Sequence, residues 1–395
     1  MERNKCWCGN QELEPFSPDY RYCKICGTLV RREWPDLSPA DEREGYEKYW
    51  AGDEKVRAMV EEQILPVLEE RARTYLVERG PYWLRTLLHY RLPPAKILEI
   101  GSGPGAFVGL MQAAGFDALG LEVQPWSVDL SSRWFQVPVL YGPIEEQHLS
   151  TASLDGVVMM DVLEHLTEPE DTLRRVTRLV RPEGFVLVQT PEFPENLSYA
   201  EMQAQQHPFL AMFIPEHRFL FSRRAAQRLF QRVGLPWVQF EEAFFAHYDM
   251  FFVAAVRPLQ RYTPEEIRSA LEGHLKGRVV YALLDLWEQH RERKRRNAHL
   301  QQALQETQAK VQHLQHTHTD LEHTLASLQR ALADCEAQEA HWRVETHRRA
   351  AQAGEMLEGL QQSRAFRLLR RFGRWQRIED LLKHVAAWNE ESLEE

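Results

Sequence analysis

Two sets of residues in this chain have the types and spacing for chemistry. The first is four cysteines, Cys6, Cys8, Cys23 and Cys26, in the pairs "CWCG" and "CKICG". Glycine follows each pair, so the backbone can turn tightly and aim amides at thiolate sulfurs. The opening "MERNKCWCGN" has no apolar core after its charges and does not read as a secretory signal, so metal binding is preferred over disulfides. Four thiolates suit tetrahedral Zn2+ with every position filled, a site that holds structure and does no chemistry. The single residue inside the first pair departs from the commoner C-x2-C, and reduced, reactive thiols are the alternative. The second set is "KILEIGSGPGAF", Lys96 to Phe107, where an apolar strand containing Glu99 runs into Gly101, Gly103 and Gly105. Backbone this bare lets a nucleotide-like ligand lie against it.

The elements that must hold these residues follow from periodicity. After the cysteines comes a Pro-marked linker, "REWPDLSPADE", then helical stretches that end near Gly80 and Pro81. From about Leu92 to Pro258 short apolar runs alternate with amphipathic segments. "AKILEI", "DALGLEV", "PVLYG", "DGVVMMD" and "GFVLVQT" read as buried strands, the pattern of a parallel sheet covered on both faces. "PWVQFEEAFFAHYDMFFVAAVRP" closes it with two runs spaced for an antiparallel pair. The expected fold is α/β: a Rossmann-like seven-stranded sheet with an antiparallel terminal hairpin, a small zinc ribbon and a long C-terminal helical coiled coil.

Which nucleotide lies on the glycine loop is open from the loop alone. "GSGPGA" satisfies G-x-G-x-G and also the dinucleotide fingerprint, with Ala106 last. Glu122, at the end of the next strand, suits a ribose in either case. Three features favour S-adenosylmethionine. Glu99 would offset an ammonium but repel a pyrophosphate. "GPIEE", residues 142–146, puts acids where an adenine amino group could donate. "MMDVLEHLTEP" then ends the fourth strand, and "RLVRPEGFVLVQTP" leads through the next. With these motifs in order, residues 40–258 resemble class I S-adenosylmethionine-dependent methyltransferases of the ubiquinone-biosynthesis-like group. "RPEG" replaces that group's P-G-G and is expected to change only a surface turn.

The resemblance implies roles. Glu99, Gly101, Gly103 and Gly105 would line the methionine and ribose side, Glu122 would hold the ribose hydroxyls, Ile144 and Glu145 would flank adenine, and Asp161 would sit beside the methionine. Phe107 is expected to pack under the loop. Glu164 and His165 would mostly brace the strand end. Glu216 and His217 in "FIPEHRFLFS" match a Glu-His pair that sugar C-methyltransferases with a cysteine zinc module use for proton abstraction, although the further C-terminal domain of those enzymes is absent. His207 is a weaker candidate. Tyr46, Tyr49 and Trp50 could cap the cofactor through cation–π attraction or simply pack on a helix face.

From Thr263 onward strand signals stop. Leu304, Val311, Leu325 and Leu332 fall in one register, and Leu314, Leu321, Leu328 and Cys335 in the other, with Thr307 and His318 interrupting. That is a coiled coil, pairing with itself or with an equivalent coil; a single solvated helix is the plainer reading. "SRAFRLLRRFGRWQRI" collects arginines on one helical side and Leu368, Leu369, Phe372 and Trp375 on the other. It suits an anionic membrane surface or docking on an acidic protein face. The expected domains are 1–33 zinc ribbon, 40–90 helical cap, 91–258 S-adenosylmethionine-binding domain, 263–362 long helix and coil, and 363–395 basic tail.

A net charge of −10 argues against general nucleic-acid binding. No apolar run approaches the ~20 residues that span a bilayer. The chain is therefore expected in the cytoplasm, with peripheral contact at the inner membrane face as an option. The expected activity is methyl transfer to a sugar or glycan acceptor, by O- or C-methylation, in cell-surface polysaccharide synthesis. A lipid-like or other small-molecule acceptor, a non-catalytic scaffold and an oxidoreductase are the rivals.

Overall fold

A computed structural model of the chain describes residues 5–34, 44, 47–48, 51–371, 376–377, 379–380 and 383–384. Tyr46, Tyr49, Trp50, Phe372 and Trp375, singled out above, lie outside the described residues. The chain divides into two units, Met1–Arg293 and Lys294–Glu395.

The first unit begins with short strands β1 (Glu14–Pro15), β2 (Tyr20–Cys23) and β3 (Thr28–Arg31). Residues 54–90 are helical and end in α1 (Gly80–Tyr90). Then follow β4 (Lys96–Ile100), α2 (Ala106–Ala113), β5 (Asp117–Glu122), α3 (Pro125–Leu130), β6 (Val139–Tyr141), β7 (Leu154–Met160), α4 (Pro169–Leu179) and β8 (Val180–Pro191). The unit continues through β9 (Phe219–Phe221), α5 (Arg223–Arg232), β10 (Trp237–Glu241), β11 (Asp249–Ala255) and α6 (Pro264–Glu272).

Seven strands form one sheet in the order β10-β11-β8-β7-β4-β5-β6. The pairs among β4 to β8 are parallel, whereas β11 runs antiparallel to both β8 and β10. This is the expected α/β sheet with its antiparallel terminal hairpin. Its strands are apolar on both faces because both faces are covered. Ile97, Leu187 and Val253 point into a layer with Trp83, Phe107 and Met111. Their neighbours Leu98, Val188 and Phe252 point into the opposite layer with Leu229 and Phe230. Phe107 packs edge-on against Trp83 at 5.4 Å.

Three findings differ from the sequence expectations. Gly80 and Pro81 do not end the helical stretch but open α1, with the proline in its first turn, where its missing amide costs no hydrogen bond. "RPEG" is no free turn but the irregular start of β8. Val180 pairs with Leu154, the register shifts, and pairing resumes at Gly156 with Phe185, so the extra residues of β8 bulge outward. In addition, the cysteine-bearing strands recruit a strand from far along the chain, since β3 pairs antiparallel with β9 in a second sheet, β1-β2-β3-β9. The sequence has no local signal for that pairing, because its partners are separated by β4 to β8 and their helices.

Helix α7 (Leu275–Gln362) buries Val280, Leu284 and Trp287 among the core of the first unit, and the Trp287 indole donates to the Glu78 carbonyl at 3.0 Å. In the second unit the helix continues with Leu300 to Leu332 exposed, and α8 (Arg364–Arg371) follows. Among the described residues no helix is long and apolar enough to cross a membrane.

Candidate active site

Strand order reverses between β5 and β7 on either side of β4, the place where open α/β sheets leave a crevice at the carboxyl ends of their strands. A cavity of about 390 Å³ lies there, lined in part by Arg71, Gly101, Gly103, Glu122, Asp161, His165 and Glu216. The loop from β4 to α2 must be glycine. Gly101 has φ +73°, and a Cβ on it would lie 2.5 Å from the Val162 side chain. Gly105 has φ +85°, and its Cβ would lie 2.5 Å from Val137.

Glu122 shapes this loop. One carboxylate oxygen accepts from the Gly103 amide at 2.8 Å, and the other from the Val123 and Gln124 amides at 2.7 and 2.9 Å. Glu99 is buried beneath the loop. Burial, followed by the nearby Glu122 charge, pushes its carboxyl well above the usual range. Its Oε2 has no hydrogen-bond partner, and neither have the buried hydroxyls of Ser102 and Ser127.

Asp161 closes the far side of the cavity, in left-handed backbone at φ 58°. It accepts from Gln189 at 2.9 Å and from Arg79 at 3.1 Å, and Trp83 in turn donates to Gln189 at 2.9 Å. Arg71 donates to the Tyr75 hydroxyl at 2.9 Å and, like Arg218, lines the cavity with a cation. Sequence patterns gave no pointer to Arg71, Arg79 or Gln189. Their only signal is a polar residue interrupting a helical or strand face, which many solvated positions share.

The remaining predicted residues divide. Glu216 lines the cavity, whereas Glu99, Gly105, Ile144, Glu145 and His217 do not. Glu145 accepts from Thr172 at 2.6 Å. Ile144 is buried, and its carbonyl accepts from Arg175 at 2.8 Å. His217 is only 6% exposed and stands behind His165, with ring centroids 4.9 Å apart. The His217 Nδ1 is paired with the Met212 carbonyl at 2.8 Å and the His165 Nδ1 with the Glu216 carbonyl at 3.0 Å. Donation from both Nδ1 atoms leaves both Nε2 atoms as acceptors. Burial, then the charge of His165, lowers the His217 pKa to about 4. Burial also lowers that of His165. Glu164, buried and accepting from Thr190 at 2.9 Å, brings its carboxylate to within 4.8 Å of both imidazoles, a group able to hold a cation.

The four cysteine sulfurs lie within 4.8 Å of one another, with Cys6–Cys26 at 3.5 Å and Cys8–Cys23 at 3.6 Å. Four Zn–S bonds of about 2.3 Å set tetrahedral sulfurs about 3.8 Å apart, so the donor set fits zinc. A hydrogen bond from Cys6 leads the interactions that hold the Cys23 thiol down at about 4. The cysteine module also grips the histidine loop. The Tyr20 hydroxyl donates to the His217 carbonyl at 2.8 Å, Arg31 donates to the Ile214 carbonyl at 3.1 Å, and the Arg31 amide donates to the Arg218 carbonyl at 3.0 Å.

Comparison with known proteins agrees with this geometry. Residues 70–239 match the family described as a methyltransferase domain. The chain is 31% identical over 134 residues to a "Probable S-adenosylmethionine-dependent methyltransferase" of Mycolicibacterium smegmatis, covering 32% of this chain and 52% of that protein. It is 29% identical over 108 residues to a ubiquinone biosynthesis O-methyltransferase of Chromobacterium violaceum, covering 26% and 47%. A ubiquinone biosynthesis O-methyltransferase of Cupriavidus pinatubonensis shows 33% identity over 101 residues, covering 24% and 41%. The chain spans about half the length, or less, of these relatives. Sheet, cavity and family match thus agree over residues 70–239, the segment that is similar to methyltransferase domains.

Proposed function

We propose that this protein transfers a methyl group from S-adenosylmethionine to a hydroxyl or acidic carbon of a sugar or glycan in cell-surface polysaccharide synthesis. The cavity over the glycine loop carries the cofactor part of this reading, because its lining combines Arg71, Glu122, Asp161 and the unpartnered Ser127 hydroxyl. Glu99, buried beneath the loop with its carboxyl pushed well above the usual range, would act on an ammonium through the loop or through water rather than by lining the cavity. Arg71 would pair with a carboxylate. Glu122 retains lone-pair capacity for a ribose hydroxyl. Asp161 would lie beside the methionine portion, and Ile144 and Glu145 would flank adenine. When bound, S-adenosylmethionine supplies an electrophilic methyl on a sulfonium. The protein's work is then to align the acceptor, exclude water and remove a proton.

For the proton we propose His217, with Glu216 beside it, acting together with His165, whose ring lines the cavity. A pKa of about 4 keeps the His217 imidazole neutral and able to accept at pH 7. A second cavity of about 250 Å³, lined by Glu192, His207, Arg223, His247, Tyr248 and Asp249, supports a polar acceptor. Its mixture of donors and acceptors suits hydroxyl groups. The names of the ubiquinone-biosynthesis relatives favour a second reading, a lipid-like hydroxylated acceptor.

We further propose structural Zn2+ at Cys6, Cys8, Cys23 and Cys26, pairing of the C-terminal stripe with another coil, and a cytoplasmic location with the basic tail at an anionic membrane face. Transfer of labelled methyl to sugar nucleotides or glycans, against quinol-like phenols, tests the acceptor. Label on the carbohydrate alone is the expected result, and label on the phenol alone would replace the first reading by the second.

A further inference from the structure

We propose that residues 300–335 form a parallel, in-register coiled coil with the same residues of a second copy of this chain, setting Cys335 against Cys335. The inference deepens the coil reading above and is independent of the cofactor assignment.

From Leu300 to Cys335 the core-type positions of α7 alternate by four and three, and eight of the eleven are leucine or valine. Each of those eight is 47–66% exposed in the single chain. The stripe is about 54 Å long at 1.5 Å per residue. It fills five heptads, beyond the three to four that identify a coiled coil. Burial of exposed leucine and valine side chains is favourable, so the stripe has a drive to be covered.

The flanking charges permit a second copy. In a parallel pair, the residue at a g position meets the e position five residues later in its partner. The charged members are Lys310, Glu322 and Glu336, and they would meet Gln315, Thr317 and Ala331. No like charges meet.

Thr307 and His318 decide the direction. Parallel and in register, each meets its own copy. Two hydroxyls can then hydrogen-bond, and two neutral imidazoles can share one donor and one acceptor. Antiparallel with full overlap, Thr307 faces Leu332 and His318 faces Leu321, leaving polar atoms against leucine without partners. A parallel slip of one heptad sets His318 against Val311 or Leu325 with the same loss. Paired polar core residues are an established way of fixing register.

The full chain should sediment or scatter light with twice its mass of 46.3 kDa. Oxidation with diamide should give a covalent dimer whose digest contains a Cys335–Cys335 peptide, absent after Cys335→Ser. In Leu304→Cys protein the links should be 304 to 304 and 335 to 335; links from 304 to 335 would overturn the parallel direction. Leu325→Asp should yield a monomer with unchanged S-adenosylmethionine affinity. A wild-type monomer at tens of micromolar would overturn the pairing, whatever the cofactor titration shows.

Discussion

The two walls of the cofactor cavity are built differently. The wall from β4 to β5 is local. Glu99, Gly101, Gly103 and Glu122 lie within 24 residues, and backbone conformation does most of the shaping. The opposite wall is assembled from a distance. His165 follows β7, Glu216 comes from the approach to β9 with His217 behind the wall, and that approach is anchored to Tyr20 and Arg31 of the cysteine module. The first wall would hold cofactor, whereas the second would position the proton acceptor. The cysteine module would therefore help to shape that second wall, although no cysteine lines the cavity.

If this division is right, damage to each wall should show in a different constant. His217→Ala should lower kcat by roughly 10²–10⁴-fold, the usual range for a lost general base, with cofactor Kd within about twofold. His165→Ala in the same assay would sharpen the assignment, because the larger loss marks the ring that meets the proton. Gly101→Ala forces a Cβ to 2.5 Å from Val162 in left-handed backbone. It should weaken S-adenosylmethionine binding at least 30-fold by calorimetry, with an unchanged circular dichroism spectrum. Cys23→Ser, or zinc removal by a strong chelator, should slow transfer about tenfold while leaving cofactor Kd nearly intact. An equal loss of affinity would break the comparison. Tyr20→Phe removes a hydroxyl that donates to the His217 carbonyl. At about 1 kcal/mol for such a bond, it should slow transfer roughly fivefold.

A pH dependence follows from the buried imidazole. His217 titrates near 4 when folded and near 6.5 when unfolded, so below 6.5 the unfolded chain takes up the proton first. Its contribution to stability is complete above pH 6.5 and is lost as pH falls toward 4. In denaturant melts at pH 7.5 and pH 5, His217→Gln should show a smaller difference than the wild type.

How much was legible in the sequence follows the same division. The seven-stranded sheet could be read because buried parallel strands leave unbroken apolar runs, and "GSGPGA" could be read because positive φ and close approach leave few alternatives to glycine. The cysteine cluster was legible from its spacing. The β3–β9 pairing was not, since nothing local in "FLF" names "TLV" as its partner. His165 in front of His217 was hidden for the same reason, as two loops about fifty residues apart meet through ring contact and backbone hydrogen bonds that no local pattern records. Arg71 and Arg79 belong to helical segments where arginine is ordinary on a wet face, and only the fold turns them inward.

The central claim is that the local wall holds S-adenosylmethionine, and its most direct test is calorimetric titration of the purified chain with S-adenosylmethionine and with NADH, repeated on Glu122→Ala. The account predicts micromolar binding of the first, none of the second, and at least tenfold weaker binding in the variant. Saturable binding of NADH alone, or S-adenosylmethionine affinity indifferent to Glu122, would contradict it.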